Sequence, residues 1–214
     1  MPTPAMFTRP PSPPIIKIPG HFGDIMSRRD TTLTLPEGFT GQERIMLTAN
    51  GNLQRLISAY FNKTVSITIL ENTRVPLLPD EDPAVIARFQ REVNLLCNEK
   101  VVCNAKSQVL IKDQAVYDLV VEKGVGIGQI FRYLDKLPSF ELHGLGRTDK
   151  TFWREYSLEI PGVYCRLLEV LPSSLFDHNW LEKEPEDISW DIDIGQGQMT
   201  WINPDLQDCR VSKV

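Results

Sequence analysis

Residues 152–176 read FWREYSLEIPGVYCRLLEVLPSSLF, and this stretch decides how the rest of the chain is organised. Pro161 presets φ near −65° at the second position of a turn, and Gly162 supplies the positive φ that a type II turn needs. With Ile160 and Val163 flanking that turn, Leu158 faces Cys165, Tyr156 faces Leu167, and Arg154 faces Glu169. One face of the hairpin is therefore apolar near the turn and ends in an opposed Arg and Glu. A carboxylate on such a face belongs either to a pocket wall or to an exposed ion pair at the rim.

The neighbouring segments supply strands for this hairpin. Residues 64–75 alternate apolar and polar side chains through Val65, Ile67 and Ile69. Residues 87–97 and 100–111 form an antiparallel pair across a tight turn at Asn98-Glu99. In the second of these, Val101, Cys103, Ala105, Ser107 and Val109 share one face, with Lys106 and Gln108 on the other. Residues 138–146 add a sixth strand. Helical periodicity appears at 52–61, where Leu53, Leu56, Ile57 and Tyr60 lie on one side, and at 114–122. A glycine-rich break, GVGIGQ at 124–129, opens a further short helix through Leu134. Strands at antiparallel spacing with grouped helices define an α+β fold with a six-stranded antiparallel sheet.

The ends of the chain differ from this middle. Seven of the 16 prolines fall in residues 1–19, so that run reads as an extended arm or disordered leader that cannot form helix or sheet ladders, and with the loop after it makes 1–44 a Pro-rich arm and loop. Ile15, Ile16 and Ile18 are placed to pin its end to the body. Residues 45–176 form the folded domain. Residues 177–214 carry nine acidic and three basic side chains and three of the four tryptophans, an extension too aromatic to stay unfolded. Hydrophobic content of 42% and charged content of 24% fit an ordinary globular chain.

Composition excludes several classes. No basic face suits nucleic acid, and no apolar run approaches the ~20 residues of a membrane span. Cys97, Cys103, Cys165 and Cys209 form no CxxC pair, which predicts buried free thiols and a cytoplasmic setting. His21, His143 and His178 lack ligand spacing, so no metal site is expected. The glycines of GVGIGQ follow a helix rather than a strand, so they do not read as a dinucleotide fingerprint. No nucleophile-elbow sequence surrounds Ser173 and Ser174.

Three segments, GIGQIFRYL at 126–134, FELHGLG at 140–146 and REYSLEIPGVYCRLLEVLPSSLF at 154–176, together resemble the chorismate lyase-like family. LTANGNLQRLISAYFNKTVSITIL at 47–70 and REVNLLCNEKVVCNAKSQVLI at 91–111 extend the resemblance over about residues 45–176. It implies a six-stranded antiparallel sheet flanked by helices that cover an internal ligand pocket, a fold shared with effector-binding domains of some bacterial transcription regulators. It implies a cofactor-independent lyase that converts chorismate to 4-hydroxybenzoate and pyruvate. Glu169 falls where a family glutamate meets the ring hydroxyl, and Arg154 joins it as the second catalytic residue. Gly128 and Gln129 fall on the pocket wall, with Tyr156 beside them. Ser107 occupies the place where the lyases hold the substrate carboxylate with an arginine, and a serine cannot reproduce a guanidinium fork. Arg91 or Arg154 is the candidate replacement cation. Glu155 and Ser157 stand where relatives tend to be basic. A cyclase or isomerase using Glu169 as acid or base, and a non-catalytic small-molecule-binding protein, are the alternative expectations.

Overall fold

A computed structural model describes residues 16–17, 25–26, 31–33, 35–50, 52–123, 130–131, 133–192 and 201–202. The chain divides into two compact units, Met1–Leu35 and Pro36–Val214. The first holds a small antiparallel sheet of three two-residue strands, β1 (Ile16–Lys17), β2 (Ile25–Met26) and β3 (Thr31–Thr32). The expectation of an arm without ladders is thereby corrected. Ile16 and Lys17 keep their amide donors and pair with Met26 and Ile25, as a proline could not.

The second unit begins with helices α1 (Gly41–Thr48) and α2 (Leu53–Phe61). Strands β4 (Val65–Val75), β5 (Ala87–Cys97) and β6 (Lys100–Ile111) follow, then α3 (Gln114–Val121). Helical backbone recurs at 130, 131 and 133. After it come β7 (Ser139–Arg147), β8 (Thr151–Ile160), β9 (Val163–Pro172), a single 3₁₀ turn at Trp180–Glu182 and the two-residue β10 (Trp201–Ile202). The sheet order is β10-β7-β8-β9-β6-β5-β4, and every pairing is antiparallel. The six expected strands are all present, and β10 adds a short seventh at the β7 edge.

The turns follow their local chemistry. Gly162 has φ of 96°, as the second central residue of a type II turn requires. Asn98 and Glu99 both have positive φ, the pattern of a type I′ hairpin. The β8–β9 hairpin rests on α3. Asp113 caps that helix by accepting hydrogen bonds from the Ala115 and Val116 amides at 2.8 and 3.2 Å, and the Lys112 amide donates to the Gly162 carbonyl at 2.8 Å.

Helix α1 was not anticipated from its periodicity. Its N-terminus is a capping box: the Thr40 hydroxyl accepts from the Glu43 amide, and the Glu43 carboxylate accepts from the Thr40 amide at 2.7 Å. α1 and α2 bury Met46, Leu47, Leu53 and Ile57. The described start of the C-terminal extension packs on the same unit. Trp180 is buried, donates from Nε1 to Ser174 Oγ at 2.9 Å, and lies beneath the Lys100 ammonium, 3.9 Å from its ring centre. Lys106 pairs with Asp191 further along.

Candidate functional site

In an antiparallel ladder, residues directly opposite one another project from the same face. Three consecutive rows of partners cross β8, β9, β6 and β5. The first is Arg154, Glu169, Ala105 and Val93. The second is Tyr156, Leu167, Ser107 and Arg91, and the third is Leu158, Cys165, Val109 and Phe89. We call this the inner face, because the end of α1 docks on it through Arg154. The Arg154 guanidinium donates from Nη1 to the Leu47 carbonyl at 3.4 Å and to the Ala49 carbonyl.

Burial separates the two origins considered for the Arg154–Glu169 pair. Arg154 Nε donates to Glu169 Oε2 at 2.7 Å, with side-chain exposures of 0% and 7%, so this is an internal ion pair and not a rim contact. The Tyr156 hydroxyl donates to the other carboxylate oxygen, Oε1, at 2.9 Å. The Arg154 guanidinium also lies over the Tyr156 ring, 4.4 Å from its centre. Two donors thus fix Glu169, one on each oxygen, and each oxygen keeps a lone pair for a further donor.

The electrostatics follow from this enclosure. Burial, reinforced by the Glu169 charge, holds the Tyr156 hydroxyl well above its ordinary range, so it stays a protonated donor. Burial opposes the Arg154 charge, yet the adjacent carboxylate outweighs it and the guanidinium pKa is raised. The Cys103 thiol is pushed well up by burial and by the same carboxylate. Arg154 Nη2 is buried without a hydrogen-bond partner among the described residues.

The inner face is not closed uniformly. Val109, Cys165, Cys103, Arg154 and Tyr156 are buried, whereas Arg91, Val93, Ala105, Ser107 and Leu167 are each half-exposed. These five form a contiguous window in the second and first rows, next to Glu169. Arg91 and Ser107 are direct cross-strand partners. Burial lowers the Arg91 pKa, against a weaker opposing effect from Cys165. Arg91 makes no ion pair among the described residues.

The structure therefore brings together Glu169, Arg154, Tyr156, Ser107 and Arg91 on one face. Gly128 and Gln129 lie outside the described residues. Arg154 is engaged by Glu169 and by the Leu47 and Ala49 carbonyls at the C-terminal end of α1, a role that could not be seen without recognising α1. The Thr40–Glu43 spacing was the available signal for that helix. Lys106 and Gln108 lie in the opposite-face rows with Leu168 and Arg166, as their alternation predicts. Cys97, Cys103 and Cys165 are buried free thiols. Among the described residues, no group of three His, Cys, Asp or Glu side chains has metal-binding geometry, and no helix is long and apolar enough to cross a membrane. A shallow groove at the hairpin turn is lined by Lys136, Leu137, Ser139, Glu159, Ile160 and Pro161, and shares no residue with the Glu169 cluster.

Fold and face together define an α+β protein with an antiparallel sheet of six long strands, extended by the short β10, and a buried Arg–Glu–Tyr cluster beside a half-open window. No family model and no curated sequence matches the chain. Among solved structures it is similar to a possible transcriptional regulator, YydK, from Bacillus subtilis. That match has 11% identity over 82% of this chain and 75% of the other, with a TM-score of 0.35.

Proposed function

We propose that the chain is a cofactor-independent enzyme of lyase type that binds a small hydrophobic or anionic, ring-forming substrate over the window of the inner face. The half-exposed patch beside a doubly anchored, buried carboxylate carries this reading. An apolar surface with a few convergent polar groups suits a small molecule. Glu169 is the group that meets the substrate, accepting a hydrogen bond or proton from its hydroxyl end. Tyr156 and Arg154 hold that carboxylate in one orientation, so little reorganisation accompanies reaction. Ser107, Leu167 and Arg91 form the binding floor, with Gly128 and Gln129 proposed for the wall.

With chorismate, the ring C–O bond to the enolpyruvyl group would break as the neighbouring ring hydrogen passes to its methylene carbon. Pyruvate leaves and the ring becomes aromatic. Aromatisation supplies the driving force, and the protein supplies orientation and exclusion of water.

A second reading, a cyclase or isomerase on the same site, is favoured by two observations. Ser107 is neutral where the lyases carry their anion-binding arginine, and Arg154 is committed to Glu169 and to two backbone carbonyls. One experiment separates the two. Chorismate is incubated with the protein while pyruvate and 4-hydroxybenzoate are measured. Their release, lost about 10²-fold or more in Glu169→Gln, supports the lyase. Ligand binding without pyruvate release moves the assignment to the cyclase or isomerase. Undiminished turnover by Glu169→Gln removes Glu169 from the chemistry.

A further inference from the structure

We infer that β4 is a dimerisation strand, on which two copies of this chain pair antiparallel about a two-fold axis at Ile67. β4 stands at one end of the sheet and pairs only with β5 among the described residues. It is 11 residues long, and every residue between Val65 and Val75 is exposed. Edge strands usually carry a charge, a proline or a short length that discourages pairing with another chain. Residues 65–70 carry neither charge nor proline, and the first charge, Glu71, follows the bulge at Ile69/Glu71. Twelve large apolar side chains are exposed among the described residues. Six of them, Ile67, Ile69, Leu70, Leu77, Leu78 and Ile86, lie on β4 or in the loop after it, which makes this edge the apolar side of the molecule.

The sequence of the edge selects the occupant. Residues 65–69 read VSITI, whose order of apolar and polar side chains is the same in both directions. Antiparallel pairing of two copies centred on Ile67 therefore sets like against like. Ile67 meets its own copy, Val65 meets Ile69, and Ser66 meets Thr68 on the opposite face, a favourable cross-strand pair. The same register brings Lys63 of each copy level with Glu71 of the other, one pair of opposite charges at each end. A one-residue slip would oppose Ile67 to Thr68 and lose every match. The bulge lies beyond the five paired residues and leaves them regular. Gln54 Nε2 donates to the Val65 carbonyl at 2.6 Å, and that oxygen keeps a second lone pair for the other copy. The axis stands normal to the sheet, so the inner faces of both copies lie on one side. Ile69, the direct partner of Val93, carries that face across the joint.

The test is analytical ultracentrifugation of the full chain over a wide range of concentration. The expected species has twice the 24.4 kDa chain mass and dissociates on dilution. Ile67→Lys sets two ammonium groups against each other at the axis and should weaken the dimer at least about 10-fold. Ile67 is exposed, so the variant should fold as the unaltered chain does. Glu71→Lys should weaken the dimer by repulsion from Lys63, and adding Lys63→Glu to the same chain should restore it. Ile67→Cys should give a covalent dimer under mild oxidation beyond the level of the unaltered protein, because its copy lies directly opposite. Thr73→Cys, outside the paired residues, should not. The mass of the unaltered chain decides the matter even where a variant misfolds. A monomer at every concentration overturns the proposal, including a monomer whose edge takes up a labelled peptide of alternating Val and Thr. A dimer that Ile67→Lys leaves intact overturns it as well.

Discussion

Arg154 Nε and Glu169 Oε2 meet at 2.7 Å across β8 and β9, in a site from which water is almost excluded. Two opposite charges there are tolerable only together, because each alone would carry its full desolvation cost. Arg154→Met should therefore destabilise the protein by about 3–5 kcal/mol, leaving a buried carboxylate with only the Tyr156 hydroxyl. The double variant Arg154→Met, Glu169→Leu should recover most of that loss. Urea unfolding of the two single variants and the double gives the coupling energy, and additive losses would contradict the pairing.

The buried thiols and Tyr156 predict an alkaline limit. Burial pushes the Cys165 thiol from its ordinary 9.0 up to about 12, and raises Cys103 and Tyr156 in the same direction. A folded-state pKa above the unfolded value stabilises the fold fully below the unfolded pKa and loses that contribution as pH rises through the folded one. Stability should be flat with respect to these groups below pH 9 and fall between about 9 and 12. Each group contributes a slope of about 1.4 kcal/mol per pH unit. Cys165→Ala should reduce the slope by one group's share, measured by unfolding at fixed pH steps. An unchanged slope would remove Cys165 from the effect.

Two turn substitutions should act in opposite directions. At Gly162 a methyl group would sit 2.6 Å from Asp113 Cβ and would also be forced to positive φ. Gly162→Ala should cost at least 1–2 kcal/mol by these combined effects. Glu99 holds φ of 65° in a turn where glycine is the usual occupant, so Glu99→Gly should stabilise by about 0.5–1 kcal/mol. Midpoints of thermal unfolding, compared at one pH, report both signs.

The strands were legible because their period of two survives burial, and because Pro161-Gly162 and Asn98-Glu99 mark turns that fix register. Once Leu158 was set opposite Cys165, the Arg154–Glu169 pairing followed. Burial of that pair was not legible, since alternation assigns a face without saying what covers it. The cover includes α1, whose eight residues carry too little apolar periodicity to stand out from the loop before them. The Arg91–Ser107 adjacency required the β5–β6 register, which the Asn98-Glu99 turn implies for its near end. A bulge at Leu95/Leu96 then shifts that register by one, so counting from the turn alone misplaces every partner beyond it.

Helix α1 ties that local structure to the site. Its capping box is formed by Thr40 and Glu43, and the carbonyls of Leu47 and Ala49 at its other end accept from Arg154. Glu43 is itself buried and approaches Arg147 Nη1 at 3.5 Å, so the Thr40 contribution is the cleaner one to remove. Thr40→Ala should cost about 1 kcal/mol as a lost N-cap. If α1 positions the ion pair, the loss should couple to Arg154: in the Arg154→Met background the same substitution should cost measurably less, because the carbonyl contacts that the helix presents are already unused. Amide hydrogen exchange should show faster opening of residues 44–48 in Thr40→Ala, with β8 and β9 unchanged. Equal costs in both backgrounds would mean that α1 covers the sheet without positioning Arg154.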